Sequence, residues 1–543
     1  MSKVANYLQE HLVGEVISTT NARQHFSYDG SIFQQAPAIV VYPRNENDIR
    51  KTARFCWQLA ERGRVIPITP RGFGTDQTGA AIGKGMSVVF PAHMNNIIEM
   101  DTKSGDVTVE PGISFGKLQQ ALSTHGRTLP CYPPSIEYTS IGGAIGNNTS
   151  GDKSLKYGPI LNYIKSMRVV LANGEVIETR RLSKRELNKK LGLATFEGEI
   201  YRFIDTLLEE QHDLLRNLDR NTTKNNAGYN LLDIKHKNGS FDLTPLFTGS
   251  QGTLGIITEV TLNTEHYNPK STIIMANFDS VEHLQQAILE LRDIDELPDS
   301  MELIDHYAIK QLEDINPNHL KDLVPSPIPS FITLIEYDAN NKNYKKSVKK
   351  AFKILDNLAH SYNSSEDLEE QIKYQQLRDA ISVLNSHNEG LLHPVPLFDS
   401  AVPTDRIRDY LEGLYKILTS NHVKPALWGH VGDGNIFFQP KLNLGQVGDR
   451  QKVFRLIDDY NNLVLNLNGT LSAANGDGRL KTPYLEQMYG TSLYTLLYKV
   501  KKIIDPYDIL NPGVKFGTTV DDLKAMVRNE YHLSHLYNHL PRS

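Results

Sequence analysis

Two cysteines in 543 residues, Cys56 and Cys131, are too few for a disulfide framework, an iron–sulfur cluster or a cysteine-built zinc site within one chain. Redox chemistry on such a chain therefore needs an organic cofactor. Long apolar runs are also missing. No stretch approaches the roughly 18 residues of a membrane helix, and residues 1–14 lack the basic start and apolar core of a secretory signal. The expected placement is cytoplasmic. An excess of positive charge is absent as well: the net charge of −5 argues against general nucleic-acid binding. The two basic runs, Arg180 to Lys190 and Lys342 to Lys350, read as solvated helix faces. The common nucleotide motifs fail on spacing. Gly72, Gly74 and Gly79 do not form G-x-G-x-x-G, and the interval from Gly79 to Gly85 misses the P-loop by one residue and lacks its hydroxyl.

What is present is glycine in two concentrated tracts. Arg71-Gly72-Phe73-Gly74-Thr75-Asp76 and Ser140 to Gly151, the latter including Gly142, Gly143, Asn147 and Ser150, read as the two walls of a pyrophosphate-binding cleft. Without a Cβ, backbone N–H groups at such turns can converge on anionic oxygens, and neighbouring hydroxyls add donors. A large phosphate-bearing cofactor is the expectation. The length, with 39% hydrophobic and 22% charged residues, is that of a globular protein with two or more cores.

Strands are predicted over Ala38 to Tyr42 and Val65 to Thr69, around a helix from about Asn47 to Glu61 capped by Asn45. Another strand, Asp106 to Glu110, turns at Pro111-Gly112 into a helix from about Ser114 to His125. Ser166 to Leu171 and Glu175 to Thr179 form a hairpin around Ala172-Asn173-Gly174. Beyond Thr264 to Lys270 the texture changes. Ser271 to Phe278, Phe331 to Tyr337 and Ala426 to His430 read as strands separated by helices too long for hairpins. The division is residues 1–265, 266–504, a turn-rich return over 505–517 and a helical tail over 518–543. In that tail Leu533, Leu536, Tyr537 and Leu540 make an apolar face and His532, His535 and His539 a parallel stripe. Docking onto its own chain is the first reading of the tail; a peripheral contact at the inner face of a membrane or with another copy is the second.

The ordered set Arg71 to Thr75, Val109-Glu110-Pro111-Gly112, Ile141-Gly142-Gly143, Thr149-Ser150-Gly151, Tyr157-Gly158 and Gly249 to Thr258 resembles the FAD-linked oxidases of the vanillyl-alcohol-oxidase and p-cresol-methylhydroxylase type. Leu377-Arg378-Asp379, Gly429 to Asn435 and Leu510-Asn511-Pro512-Gly513 are similar to the branch holding D-lactate dehydrogenases, D-2-hydroxyglutarate dehydrogenases and the large glycolate oxidase subunit. The resemblance implies an α+β fold: a two-subdomain FAD-binding domain, then a cap domain with an antiparallel sheet, then a C-terminal return to the flavin. It implies FAD held by Arg71, Gly72, Phe73, Gly74, Thr75, Asp76, Pro134, Gly142, Gly143, Asn147, Ser150, Gly151, Tyr157, Gly158, Gly252, Ile256, Ile257 and Asn511. No histidine lies in the first loop, where related flavoenzymes attach the ring, so the FAD is expected to be non-covalent. Asp76 stands where the family commonly has serine, and an ionised carboxylate there repels pyrophosphate unless it turns away or binds a cation.

The same resemblance implies a small D-2-hydroxy acid as substrate, with Arg378 gripping its carboxylate and Ser382 one turn on, and electrons passed to a quinone, a cytochrome or a flavoprotein. The branch's divalent-metal ligands match His430, Phe437 and Ala474, so two of three are lost, and no metal is expected. Its general-base histidine matches Asn475, and a lysine before Asp399 is replaced by Leu397. Two readings follow: a metal-free FAD-dependent dehydrogenase using His430 as base or Asp477 as a displaced carboxylate, or a flavin-binding subunit whose substrate site has been altered.

Overall fold

Asn45 ends an extended segment, and its side chain accepts from the Asp48 N–H to cap the helix Glu46–Ala60, one face of which is buried at Ile49, Ala53, Cys56 and Ala60. That face covers a four-stranded sheet in the order Glu15–Ile17, Ile39–Tyr42, Met86–Val89, Ile68–Arg71, whose last three strands run parallel. The chain is described here by a computed structural model covering residues 2–532 apart from 319, 322, 341 and 342. Ile39–Tyr42 is buried at every position, as a parallel strand covered on both faces must be. The strand predicted at Val65 to Thr69 lies at Ile68–Arg71, because Pro67 precedes it and its pairing with Met86–Val89 sets the register.

A second, fully antiparallel sheet has the order Ile97–Asp101, Asp106–Val109, Ile256–Asn263, Ile164–Val170, Val176–Arg180. Its last two strands are the expected hairpin, with Gly174 at φ 82° in the turn. Ile256–Asn263 alternates buried and half-buried residues along its length, the period-2 pattern of a sheet with one covered face.

A seven-stranded antiparallel sheet begins at Ser271. Its order is Ser361–Ser365, Ser271–Phe278, Phe331–Asp338, Ser300–Asp305, Trp428–His430, Asn435–Phe437, Ser400–Ala401. Only three of these strands were legible in the sequence; Asn435–Phe437 and Ser400–Ala401, of three and two residues, become strands by pairing. The helices Val281–Arg292 and Tyr344–Leu358 pack together beside it.

The return to the N-terminal half starts earlier than the 505 boundary read from sequence. Asn226 N–H donates to the Ser472 carbonyl, Gly228 N–H donates to Asp477, and the helix Leu485–Ile504 packs on Phe196–Glu210. Residues 505–511 then run beside Ile68–Arg71, with Ile68 N–H bonded to Ile509 O at 2.7 Å. Part of the tail docks on its own chain: the helix Val520–Met526, closed by a Thr519/Asp522 capping box, leads to Arg528 and Tyr531, which bond to the carbonyls of Asp29, Ser31 and Gly30. The apolar face from Leu533 to Leu540, with His535 and His539, lies outside the described residues, as does Lys342. Among the described residues no helix is long and apolar enough to cross a membrane.

Candidate functional site

One cavity of about 890 Å³ runs from the first glycine loop, past the second glycine tract, to the face of the seven-stranded sheet. That is the size range of sites taking large organic ligands, roughly 300–1,000 Å³. Of the residues named from sequence, it is lined by Arg71 to Asp76, Pro134, Gly142, Gly143, Asn147, Ser150, Gly151, Gly252, Ile257, Arg378, Ser382, His430 and Asn475. The walls close because side chains are missing. A Cβ on Gly72 would stand 2.1 Å from Ser140 Oγ, and one on Gly252, at φ 71°, would stand 2.2 Å from Pro70 Cγ. The second tract is not an open loop throughout: Ile141–Asn147 is a short helix with Ser140 Oγ accepting from Gly143 N–H.

The Asp76 carboxylate turns back into its own loop. It accepts from the Thr78 and Ala80 N–H groups at 2.9 and 2.7 Å, from Thr78 Oγ1 and from Asn147 Nδ2. Asn147 in turn accepts from Gln251 Nε2 at 2.8 Å, so Asp76, Asn147 and Gln251 tie three cleft tracts together. In this position the carboxylate spends its lone pairs on protein donors.

Four residues assigned to the cofactor lie outside the cavity lining. Asn511 is fully buried and acts as a strut: Nδ2 donates to the Ala80 and Gln251 carbonyls at 2.8 Å each, and Oδ1 accepts from Thr69 Oγ1. Ile256 is core, and the Tyr157 hydroxyl donates to Asp338 beside Gly158, facing the seven-stranded sheet. These side chains are engaged in packing and hydrogen bonds behind the walls.

Behind the first loop lies a buried charge cluster. Burial pulls the Arg71 pKa down to about 10, and the Arg479 guanidinium behaves likewise. Burial, reinforced by the Asp76 carboxylate, pushes Asp29 up to about 6 from its ordinary 3.8. Because the folded protein binds this proton more tightly than the unfolded chain, the stability Asp29 contributes is complete below pH about 4 and is lost as pH rises to about 6. Asp29→Asn is expected to flatten the pH dependence of unfolding between pH 4 and 6 by about 2 to 3 kcal/mol. Chemical denaturation at closely spaced pH values measures this, and an unchanged slope would refute it.

At the other end, the register between neighbouring strands builds a dyad. Glu302 on Ser300–Asp305 pairs directly with His430 on Trp428–His430, and His430 Nδ1 lies 2.7 Å from Glu302 Oε1. Both side chains are about nine-tenths buried and both line the cavity. Sequence reading missed Glu302. Its signal was an acid inside the apolar run Ser300-Met301-Glu302-Leu303-Ile304, since a buried carboxylate needs a partner. Phe437, on the next strand, sets its ring edge-on to the imidazole at 5.5 Å.

Arg378 reaches the same cavity from the end of the helix Leu368–Asp379. Nη1 bonds to Asp152 Oδ2 at 2.6 Å and Nε to Asp379 Oδ1 at 3.2 Å; among the described residues Nη2 carries no hydrogen bond. Burial opposes the Arg378 charge, but Asp152, Asp379 and Glu302 outweigh it and raise its pKa. For Asp152, burial is likewise overcome, here by Arg378 and then by Lys153 and His430, which lower it. Ser382 lines the cavity with its hydroxyl bonded to the Asp379 carbonyl. Asn475 lines it too, its backbone N–H held by Asp399 at 2.5 Å.

Asp477 is not part of this group. It is fully buried, paired with Lys515 Nζ at 2.8 Å, and accepts from Gly228 N–H and Ser472 Oγ. Buried, paired with Lys515 and absent from the cavity lining, it is not placed to serve as the displaced carboxylate. The metal implied by the branch does not fit the residues present: His430 is engaged by Glu302, and the other two positions are the ring of Phe437 and the methyl of Ala474. Among the described residues no three His, Cys, Asp or Glu side chains gather as metal ligands.

For a dinucleotide the fit is good. Ser150 Oγ, in the cavity wall, and Arg71 Nε are buried polar atoms with no protein partner, which a phosphate-bearing ligand would satisfy. The glycine-walled cleft and the antiparallel cap sheet together define an FAD-binding fold. Residues 37–180 match the FAD binding domain model, and residues 268–514 match that of the FAD linked oxidases, C-terminal domain. The chain belongs to the FAD-linked oxidases of the vanillyl-alcohol-oxidase and p-cresol-methylhydroxylase family. It is 28% identical over 532 residues to D-2-hydroxyglutarate dehydrogenase of Escherichia coli (strain K12), covering 94% of this chain and 51% of that protein. The chain thus spans about half the length of that relative. It is 26% identical to glycolate oxidase subunit GlcD of Bacillus subtilis (strain 168), covering 91% and 92%. The fold is that of p-cresol methylhydroxylase, with a TM-score of 0.69 at 13% identity and coverage of 96% and 97%.

Proposed function

We propose that this protein oxidises a D-2-hydroxy acid to the 2-oxo acid without a metal, with His430 as the base and Arg378 as the carboxylate anchor. The observation that carries the reading is the His430–Glu302 bond of 2.7 Å in the same cavity as Arg378 and the glycine walls. Gly72 to Thr75 on one side, and Gly142, Gly143, Ser150 and Gly151 on the other, would hold the FAD, which supplies a two-electron acceptor for the hydride leaving C2. The hydroxyl proton goes to His430 Nε2, since Nδ1 is committed to Glu302, and the Glu302 carboxylate stabilises the imidazolium that forms. Nη2 of Arg378 takes the substrate carboxylate, with Asp152 and Asp379 fixing the guanidinium plane. Turnover would require an external acceptor for the two electrons, a quinone, a cytochrome or a flavoprotein.

The test is anaerobic mixing of the yellow full chain with 2-hydroxy acids while the visible flavin band is followed. Bleaching within seconds by at least one of them is the expected result. No bleaching by any would leave a flavin-binding subunit as the better description. With no histidine in the first loop, acid or heat denaturation is expected to release all the flavin into the supernatant; colour remaining with the precipitate would refute a dissociable cofactor.

A further inference from the structure

Resting on that reading, we infer that the substrate is a 2-hydroxy monocarboxylic acid carrying a bulky apolar or aromatic side chain, rather than a hydroxy dicarboxylate or a two- or three-carbon acid. Charge comes first. The lysines and arginines lining the cavity are Arg71, committed to the first loop through the Ala81 carbonyl, and Arg378. Arg378 already faces Asp152 and Asp379, so one open nitrogen remains for one substrate carboxylate. The other ionisable groups around the sheet end are Glu302, Asp152 and His430, with Tyr132 alongside. A second substrate carboxylate would find no further lysine or arginine and three acids, Asp152, Asp379 and Glu302, an arrangement that repels it.

Apolar lining comes second. Trp428 and Phe437, on the strand pair that carries His430, line the cavity together with Phe398, Pro396 and Ile381, the last of these lying three residues beyond Arg378. Trp428 and Phe437 are half-buried, so part of each ring is left for a ligand to cover. Phe398 is stacked on Phe438 at 4.0 Å and is therefore a fixed wall. Phe437 and Ala474 occupy the positions that match the lost metal ligands, so the volume that would suit an ion and its hydration is instead hydrocarbon. Lactate or glycolate would leave this lining wet. A phenyl or branched alkyl group would cover it, and burying such a group favours binding by about tenfold or more.

The test uses the holoprotein as isolated. Anaerobic flavin reduction is titrated with both enantiomers of 2-hydroxy-3-phenylpropanoate, 2-hydroxy-4-methylpentanoate, lactate and 2-hydroxyglutarate. Binding of the unreactive products, phenylpyruvate and 2-oxoglutarate, is measured separately by calorimetry. Expected are a kcat/KM at least tenfold higher for the phenyl or branched acid than for lactate, 2-hydroxyglutarate lowest, and phenylpyruvate binding at least tenfold tighter than 2-oxoglutarate. Trp428→Ala is expected to narrow the phenyl-over-lactate ratio severalfold with the flavin content unchanged. Preference for 2-hydroxyglutarate or lactate overturns this inference and leaves the proposed activity standing. Reduction by none of the acids removes both.

Discussion

Replacing His430 with glutamine lowers the rate of flavin reduction by the preferred hydroxy acid by about 10²- to 10⁴-fold, the usual contribution of a positioned general base. Glutamine keeps an amide donor near Glu302, so folding and flavin content stay close to those of the parent, and the loss falls on kcat rather than KM. Glu302→Gln is the companion variant. It leaves His430 in place but removes the negative charge 2.7 Å from Nδ1 that stabilises the protonated ring, so a loss of about tenfold or more with an altered pH–rate profile is expected. A purely structural Glu302 would change stability without moving that profile. Stopped-flow reduction across pH 5 to 9 separates the cases. A His430→Gln protein within threefold of the parent would mean the proton leaves by another route.

The second large effect concerns stability. Lys515 and Asp477 are both fully buried and paired at 2.8 Å, with Gly228 N–H and Ser472 Oγ completing the carboxylate's bonds. Lys515→Met leaves a buried carboxylate without its cation and is expected to cost about 3 to 5 kcal/mol. Adding Asp477→Asn to that variant removes the stranded charge while keeping an acceptor for Gly228, and most of the loss should return. Urea unfolding of the parent, single and double variants measures the cycle. The pair joins the segments around Gly228, Gly478 and the C-terminal return, so the single variant also loses flavin on gel filtration. A loss under 1 kcal/mol would show that water or a neighbour replaces the lysine.

Local signals were read correctly where the physics is local. Asn45 followed by an amphipathic stretch gives a capped helix, Asn173-Gly174 gives a hairpin, and Ser271–Phe278 gives a strand at its expected ends. The glycine tracts line a cleft because missing side chains allow close approach, a property each glycine carries with it. What was illegible is non-local. Glu302 acquires its partner only when two strands 128 residues apart fall into register, and Arg378 meets Asp152 across 226 residues. Asp477 and Asn511 show the converse. Their types suit chemistry, yet burial commits one to Lys515 and the other to three loops.

The stretch following Gly151 has a mechanical consequence. Asp152 bonds to Arg378, Lys153 to Glu336 at 2.8 Å, and Lys156 to Asp299 and Asp338 at 2.8 and 2.6 Å, so three positions within five residues rivet the dinucleotide wall to the seven-stranded sheet and the helix beside it. The wall and the acid-binding end cannot drift apart independently. Specificity can therefore be retuned at Trp428 or Phe437, on strands bearing none of these rivets, while the alignment between the two ligands is inherited intact.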